Sequence, residues 1–276
     1  MMAMFSNESA KLVLVLLAII ATPVVSGLFA GLARRMRLRR DGGMEASIMQ
    51  PFYDFNQLIR QQAGPAEKPA MFATLLQLAF SLLALTLIVL QRNLLAALLL
   101  QSVSGLMAIA ANSVRPVGDE SLRRTNPLKL FLTYQPLVLM AAAGCGLAAG
   151  GFGIDAMLGL PRPLIVELPL LWLTLLYVAY ISSRQEPEKS LHGPLLAVER
   201  LAGCFRQASL LLFAGVVAAD SMIMAGLLAL LLGYGLATAE DLRGRLHWRL
   251  LAAWGWEFVY FACAINLSWL YIKYLL

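Results

Sequence analysis

Arg34-Arg35-Met36-Arg37-Leu38-Arg39-Arg40 stands directly after an apolar run reaching from Lys11 to Ala33. A short way on comes Gln50-Pro51-Phe52-Tyr53-Asp54-Phe55-Asn56-Gln57-Leu58-Ile59-Arg60. Five arginines within seven positions, next to a segment long enough to cross a bilayer, mark a membrane helix whose basic end is cytoplasmic. In the second block Phe52, Phe55 and Ile59 recur at i, i+3 and i+7, one face of a helix. Such an amphipathic element can anchor at the membrane surface or receive a docked partner, and periodicity alone does not choose between them.

The rest of the chain repeats the first pattern. Its 276 residues are 60% hydrophobic and 14% charged, with a mean hydropathy of +0.73, far more apolar than a soluble domain. Apolar windows fall at 11–33, 70–90, 94–113, 128–150, 164–182, 203–219, 221–238 and 250–274. The expectation is a single membrane domain, 1–276, all-α and polytopic with about eight transmembrane helices. No ten-residue alternation of a membrane barrel is present, and lipid permits only helices or closed barrels. The first run is longer than a signal-peptide core and its arginines follow rather than precede it, so it reads as a retained helix.

Charge placement sets the orientation. The loops after spans one, three, five and seven hold seven, four, four and three of the 22 basic residues. Only Lys11, Arg92, Arg162 and Lys273 are left for the opposite side. This bias puts both termini on the non-cytoplasmic side of the cell's inner, cytoplasmic membrane. The net charge of +6 follows from the same bias and is no sign of nucleic-acid binding.

Catalytic and metal chemistry find little here. Cys145, Cys204 and Cys263 are isolated and lie in or beside apolar spans, without ligand spacing. His192 and His247 are far apart, and no phosphate-cradling glycine loop appears. Gly146 and Gly150 have the spacing of a helix-packing face. Charges in or near the membrane are more informative, since burying them is expensive. Glu199 and Arg206, seven apart, share a helix face and are candidates to pair through an intervening side chain. Glu257, beside Trp254, Trp256 and Tyr260, is expected to be buried and partnered, with Arg243, Arg245 or Arg249 the nearest candidates. Glu167 reads as interfacial, at the outer end of span five.

Together these blocks resemble one family, the eight-helix membrane subunit shared by respiratory complex I and the membrane-bound energy-converting nickel–iron hydrogenases. The family's Arg-rich, Gly-containing stretch and its Gln-Pro-Phe-Tyr-Asp-x-x-Lys-Leu are matched by Arg39-Arg40-Asp41-Gly42 and Gln50 through Leu58. Its Tyr-Glu-Pro appears as Tyr134-Gln135-Pro136. Its acidic loop and the helix after it appear as Glu186-Pro187-Glu188, Leu191-His192-Gly193-Pro194 and Leu196-Ala197-Val198-Glu199-Arg200-Leu201. Its Glu-Asn-x-x-Ala-Arg resembles Glu240-Asp241-Leu242-Arg243-Gly244-Arg245. The Gln-Pro-Phe-Tyr-Asp block is the specific one; the others persuade by their shared order along nearly the whole chain.

The resemblance implies a subunit without catalysis of its own. Arg34, Arg35, Arg37, Arg39 and Arg40 with Gln50, Pro51, Phe52, Tyr53 and Asp54 would dock a soluble module. Hydrogenase-like small and large subunits in that module would carry the Fe–S clusters and the Ni–Fe centre, and antiporter-like membrane subunits would move protons or sodium. Glu186, Glu188, His192, Glu199, Arg206, Gln135, Glu240, Arg243, Arg245 and Glu257 would form the coupling loop and ion path. No cofactor or metal is expected in this chain. Departures limit the transfer: Gln135 stands for a family glutamate and cannot carry a proton, Gln57 replaces a lysine, and Asp41-Gly42-Gly43 replaces Arg-Gly-Pro. Two other readings stay open, a quinone-site subunit of a complex I-like oxidoreductase and a secondary transporter or structural membrane protein. No half-to-half similarity of the kind a transporter would carry is visible.

Overall fold

The structure, a computed structural model, describes residues 2–40, 42, 47–61, 68–113, 127–183, 193–242 and 253–275, nearly all of them helical. With apolar side chains on every side, backbone N–H and C=O groups must pair within the segment, which leaves the helix as the open-chain solution. Among the described residues, six helices are long and apolar enough to cross a membrane: Lys11–Arg39, Ala70–Val89, Leu94–Ala111, Phe131–Ala148, Gly193–Ala218 and Met222–Ala239. They belong to α1 (Met2–Arg40), α3 (Lys68–Val89), α4 (Leu94–Ser113), α5 (Pro127–Ala148), α9 (Gly193–Ala218) and α10 (Met222–Leu242). Between them lie the surface helix α2 (Gln50–Arg60), the short α6 (Ile154–Leu158) and α7 (Leu164–Glu167), and the 15-residue apolar α8 (Pro169–Ser183). A π-helical turn, Gly255–Val259, leads into α11 (Tyr260–Leu275). The chain is an all-α polytopic membrane protein.

Three spans differ in extent from the hydropathy reading. The first runs Met2–Arg40, so the arginines assigned to the loop after it are helical. The sixth span begins at Gly193, not near 203. Gly193 has a φ of 59° and is followed by Pro194, a residue suited to a first helical turn, so the helix starts ahead of its charges and carries Glu199 and Arg206 inside it. The fifth span is broken. Leu168, just before Pro169, leaves the helical region (φ −127°, ψ 52°), as the proline ring demands of its predecessor, and separates α7 from α8. Pro23 and Pro136 stay inside unbroken helices. Beside the first, Thr22 Oγ1 donates to Ala18 O at 2.7 Å.

The break at α8 is repaired from far along the chain. Pro169 has no N–H, and the amides of Leu168 and Trp172 bond to Leu164 O and Leu168 O. The orphan donors Leu170 N and Leu171 N face the buried Asn266 of α11. With its amide turned to present oxygen, Asn266 accepts from them at 3.3 and 3.0 Å. Lys273 Nζ, near the end of α11, pairs with Glu167 Oε1 of α7 at 3.0 Å. Trp172 Nε1 donates to Ala214 O of α9 at 3.0 Å.

The core lies where α4, α5, α8 and α9 meet, around Leu98, Leu137, Cys145, Leu171, Leu175 and Phe213. Helix α3 packs on α4 and α9, while α1 and α10 lie at the edge and are mostly exposed. Their outward residues, Leu12, Leu16, Leu17 and Ile20 on α1 and Ile223, Leu227 and Leu231 on α10, are aliphatic, as a lipid-facing surface requires. The turn joining α3 to α4 is tied to the next loop on the same side: Leu94 N donates to Phe152 O at 2.8 Å and Ile154 N to Arg92 O at 3.2 Å.

Candidate functional site: a basic platform above a buried polar layer

The platform is built on the absence of side chains. A Cβ on Gly27 of α1 would meet the Phe52 ring at 2.7 Å, and one on Gly31 would run into the Ile48 carbonyl oxygen. Two glycines one turn apart thus let α2 and the segment leading into it lie directly against α1. Pro51 opens α2, where its missing N–H costs nothing. Asp54 then fixes the pair. Arg34 Nη1 donates to Asp54 Oδ2 at 3.2 Å, and Gln50 Nε2 to Asp54 Oδ1 at 2.9 Å. Both ions are half-exposed, so the bridge orients α2 rather than stabilising it strongly.

Phe52 and Phe55 are half-buried and Ile59 is exposed, so the face marked by sequence spacing is only partly covered. Tyr53, 64% exposed, points the other way and remains available to a partner. The platform residues Arg34, Arg35, Arg37 and Arg39 lie on the last turns of α1, and α2 packs on α1 and α9. The Arg40 side chain lies outside the described residues.

Beneath the platform the bundle contains a layer of buried polar residues. Gln77 and Ser81 come from α3, Gln101 and Ser104 from α4, and Glu199, Arg206 and Ser209 from α9. Ser104 Oγ donates to Gln77 O at 3.0 Å, and Gln101 Nε2 to Arg206 O at 3.4 Å. Gln135 of α5 donates through Nε2 to Ser102 Oγ, which in turn donates to Leu98 O at 2.7 Å. On the α8 side, Ser182 Oγ donates to Gln207 Oε1 at 2.6 Å, and Gln207 Nε2 to Ala179 O at 3.0 Å. Amides and hydroxyls dominate this layer. Such groups carry helix-to-helix hydrogen bonds in a membrane but hold no proton of their own to give up at ordinary pH.

The charged members behave unequally. Glu199 and Arg206 are both buried, 9% and 7% exposed, on one side of α9. Arg206 forms no ion pair with Glu199 or with any other described residue. Glu257, expected to be buried, is exposed instead. It sits in the π-helical turn, and the buried position there is taken by Gly255, against the Tyr177 hydroxyl. Glu186, Glu188, His192, Arg243 and Arg245 lie outside the described residues. So does the side chain of Glu240, although its backbone is part of α10.

Sequence spacing did not single out Gln77, Gln101 or Asn266. Each is a lone amide within an apolar run, and that isolation was the available signal. Among the described residues no group of three His, Cys, Asp or Glu side chains comes together to hold a metal.

Fold and site together define a multi-pass helical membrane protein with a basic amphipathic shelf on one end. The chain is similar in structure to one chain of the membrane-bound sulfane sulfur reductase (MBS), an archaeal respiratory membrane complex, with a TM-score of 0.76. The match covers 95% of this chain and 99% of that one at 16% sequence identity, so the likeness is one of fold. No protein-family model matches the sequence, and no curated protein matches it.

Proposed function

We propose that this chain is the membrane-anchor and coupling subunit of an energy-converting, hydrogenase-like complex in the cytoplasmic membrane, with both termini on the far side. In this reading a soluble module carrying Fe–S clusters and a nickel–iron centre docks on the arginines of α1 and on Gln50 through Asp54. Its redox chemistry is linked to proton or sodium movement in antiporter-like membrane subunits through the segment 183–194 and the buried charges of α9. The observation that supports this most is the likeness in fold, over almost the full length, to a chain of a respiratory membrane complex. The Asp54 bridge that orients α2 along α1 adds a cytoplasmic shelf of the kind docking needs. A second reading replaces the hydrogenase module by a sulfur-reducing one and is favoured by the activity of that neighbour.

The test is gentle purification through a tag on this chain, with mass spectrometry and metal analysis of what accompanies it. Nickel and Fe–S subunits with antiporter-like proteins bear out the first reading. Iron without nickel, with sulfur-reducing activity, moves the assignment to the second. Iron with bound quinone points to the quinone-site alternative. A chain that emerges alone under conditions that preserve membrane complexes overturns all three.

A further inference from the structure

Among the buried side-chain atoms of the polar layer that make no hydrogen bond with any described residue are Gln77 Oε1, Gln101 Oε1 and Arg206 Nη1. Their side chains are 1%, 6% and 7% exposed, on three different helices. The helices that carry them are in contact near these residues. Gln101 Nε2 donates to Arg206 O, and Ser104, one turn further along α4, donates to the backbone of Gln77. Phe205, next to Arg206, packs in one cluster with Leu78, Leu82 and Leu85, which sets that turn of α9 beside the middle of α3. Among the described residues, a Cβ on Gly203, one turn before Arg206, would meet nothing within 4 Å.

The three atoms specify the ligand. Two are acceptors and one is a donor. A bare anion would accept from Arg206 and be repelled by both amide oxygens. A metal cation would suit the oxygens and be repelled by the guanidinium. A molecule that both accepts and donates satisfies all three, and water is the usual such ligand of buried polar groups. We infer that an ordered water is built into the membrane interior of this protein, held between Gln77, Gln101 and Arg206, as the ligand that completes the α3–α4–α9 contact. The fixed positive charge of Arg206 disfavours an extra proton on that water. It is a structural ligand, an inference independent of which soluble module the chain carries.

Gln77→Met gives a test that reads a sign, because the Gln77 side chain makes no hydrogen bond with any described residue. Removing an acceptor from a dry site relieves an unmade bond and raises the melting temperature; removing it from a bridged water lowers it by a few degrees. The second measurement is a high-resolution cryo-EM map of the wild-type chain in its purified assembly, which does not depend on the variant folding. A water-sized peak at hydrogen-bond distance from Arg206 Nη1 and at least one of the two amide oxygens supports the site. A peak too large for water, or no peak with either amide turned directly onto Arg206, overturns it, as does a Gln77→Met chain that melts higher than wild type.

Discussion

Asn266→Leu should destabilise the bundle far more than its conservative size suggests. The side chain is 6% exposed, and its oxygen is the acceptor for the two amides of α8 that the break at Pro169 leaves without helix partners. Leucine fills the same space but leaves Leu170 N and Leu171 N facing apolar surroundings. Each buried donor left unmade costs about 1–3 kcal/mol. Side-chain hydrogen bonds in membranes average closer to about 0.6 kcal/mol, because the unfolded chain in a bilayer also finds partners. Two donors on one acceptor therefore predict a loss of roughly 1–3 kcal/mol, from the range of a lost helix N-cap to somewhat above it. The assay is SDS-induced unfolding of the detergent-purified chain, with Asn266→Ser as the partial rescue that keeps an acceptor. A leucine variant within about 0.5 kcal/mol of wild type would refute the capping argument, and so would a serine variant no better than leucine.

Replacing Arg37, Arg39 and Arg40 together with glutamine should leave insertion intact but release the soluble module from membranes, scored by co-purification. Normal recovery of that module would remove the platform. Glu199→Gln should lower coupled ion movement while sparing electron transfer to an artificial dye; equal loss of both would mark an assembly defect. Gly31→Val should lift the segment before α2 off α1, because the Ile48 carbonyl occupies the space its Cβ needs. The expected cost is about 1–3 kcal/mol, with faster labelling of a cysteine placed at Phe52. Asp54→Asn should change stability by less than about 1 kcal/mol, since the Arg34 bridge is half-exposed, and the difference should vanish in high salt.

The helical, membrane-crossing character of the chain was legible because lipid leaves the backbone so few choices. Boundaries were less so. Three prolines lie within apolar runs, and only Pro169 breaks its helix. The amides that the break exposes are met by Asn266, an acceptor on a helix much later in the sequence, which no local pattern could announce. The start of α9 was hidden for the opposite reason: Glu199 and Arg206 lower the hydropathy of a stretch that is helical and buried. At the site, Asp54 and Gln50 sit within one amphipathic turn and could be read directly. The meeting of Gln77, Gln101 and Arg206 could not, because it depends on how three helices are phased against each other. Glu257 was misread because depth within an apolar run was taken for burial, whereas it is Gly255 that its π-helical turn buries.

That turn has a genealogical consequence. In the π-helical segment Gly255–Val259 the amide of Tyr260 bonds to Gly255 O, five residues back, so the helix carries one surplus residue. Deleting a single residue there would restore an ordinary helix and swing everything after it by about 100°. Asn266 would leave the end of α8, and Lys273 would leave Glu167. A relative one residue shorter at this point must therefore either close α8 by other means or keep it unbroken, so a one-residue gap in an alignment should predict a rearrangement three helices earlier in the chain.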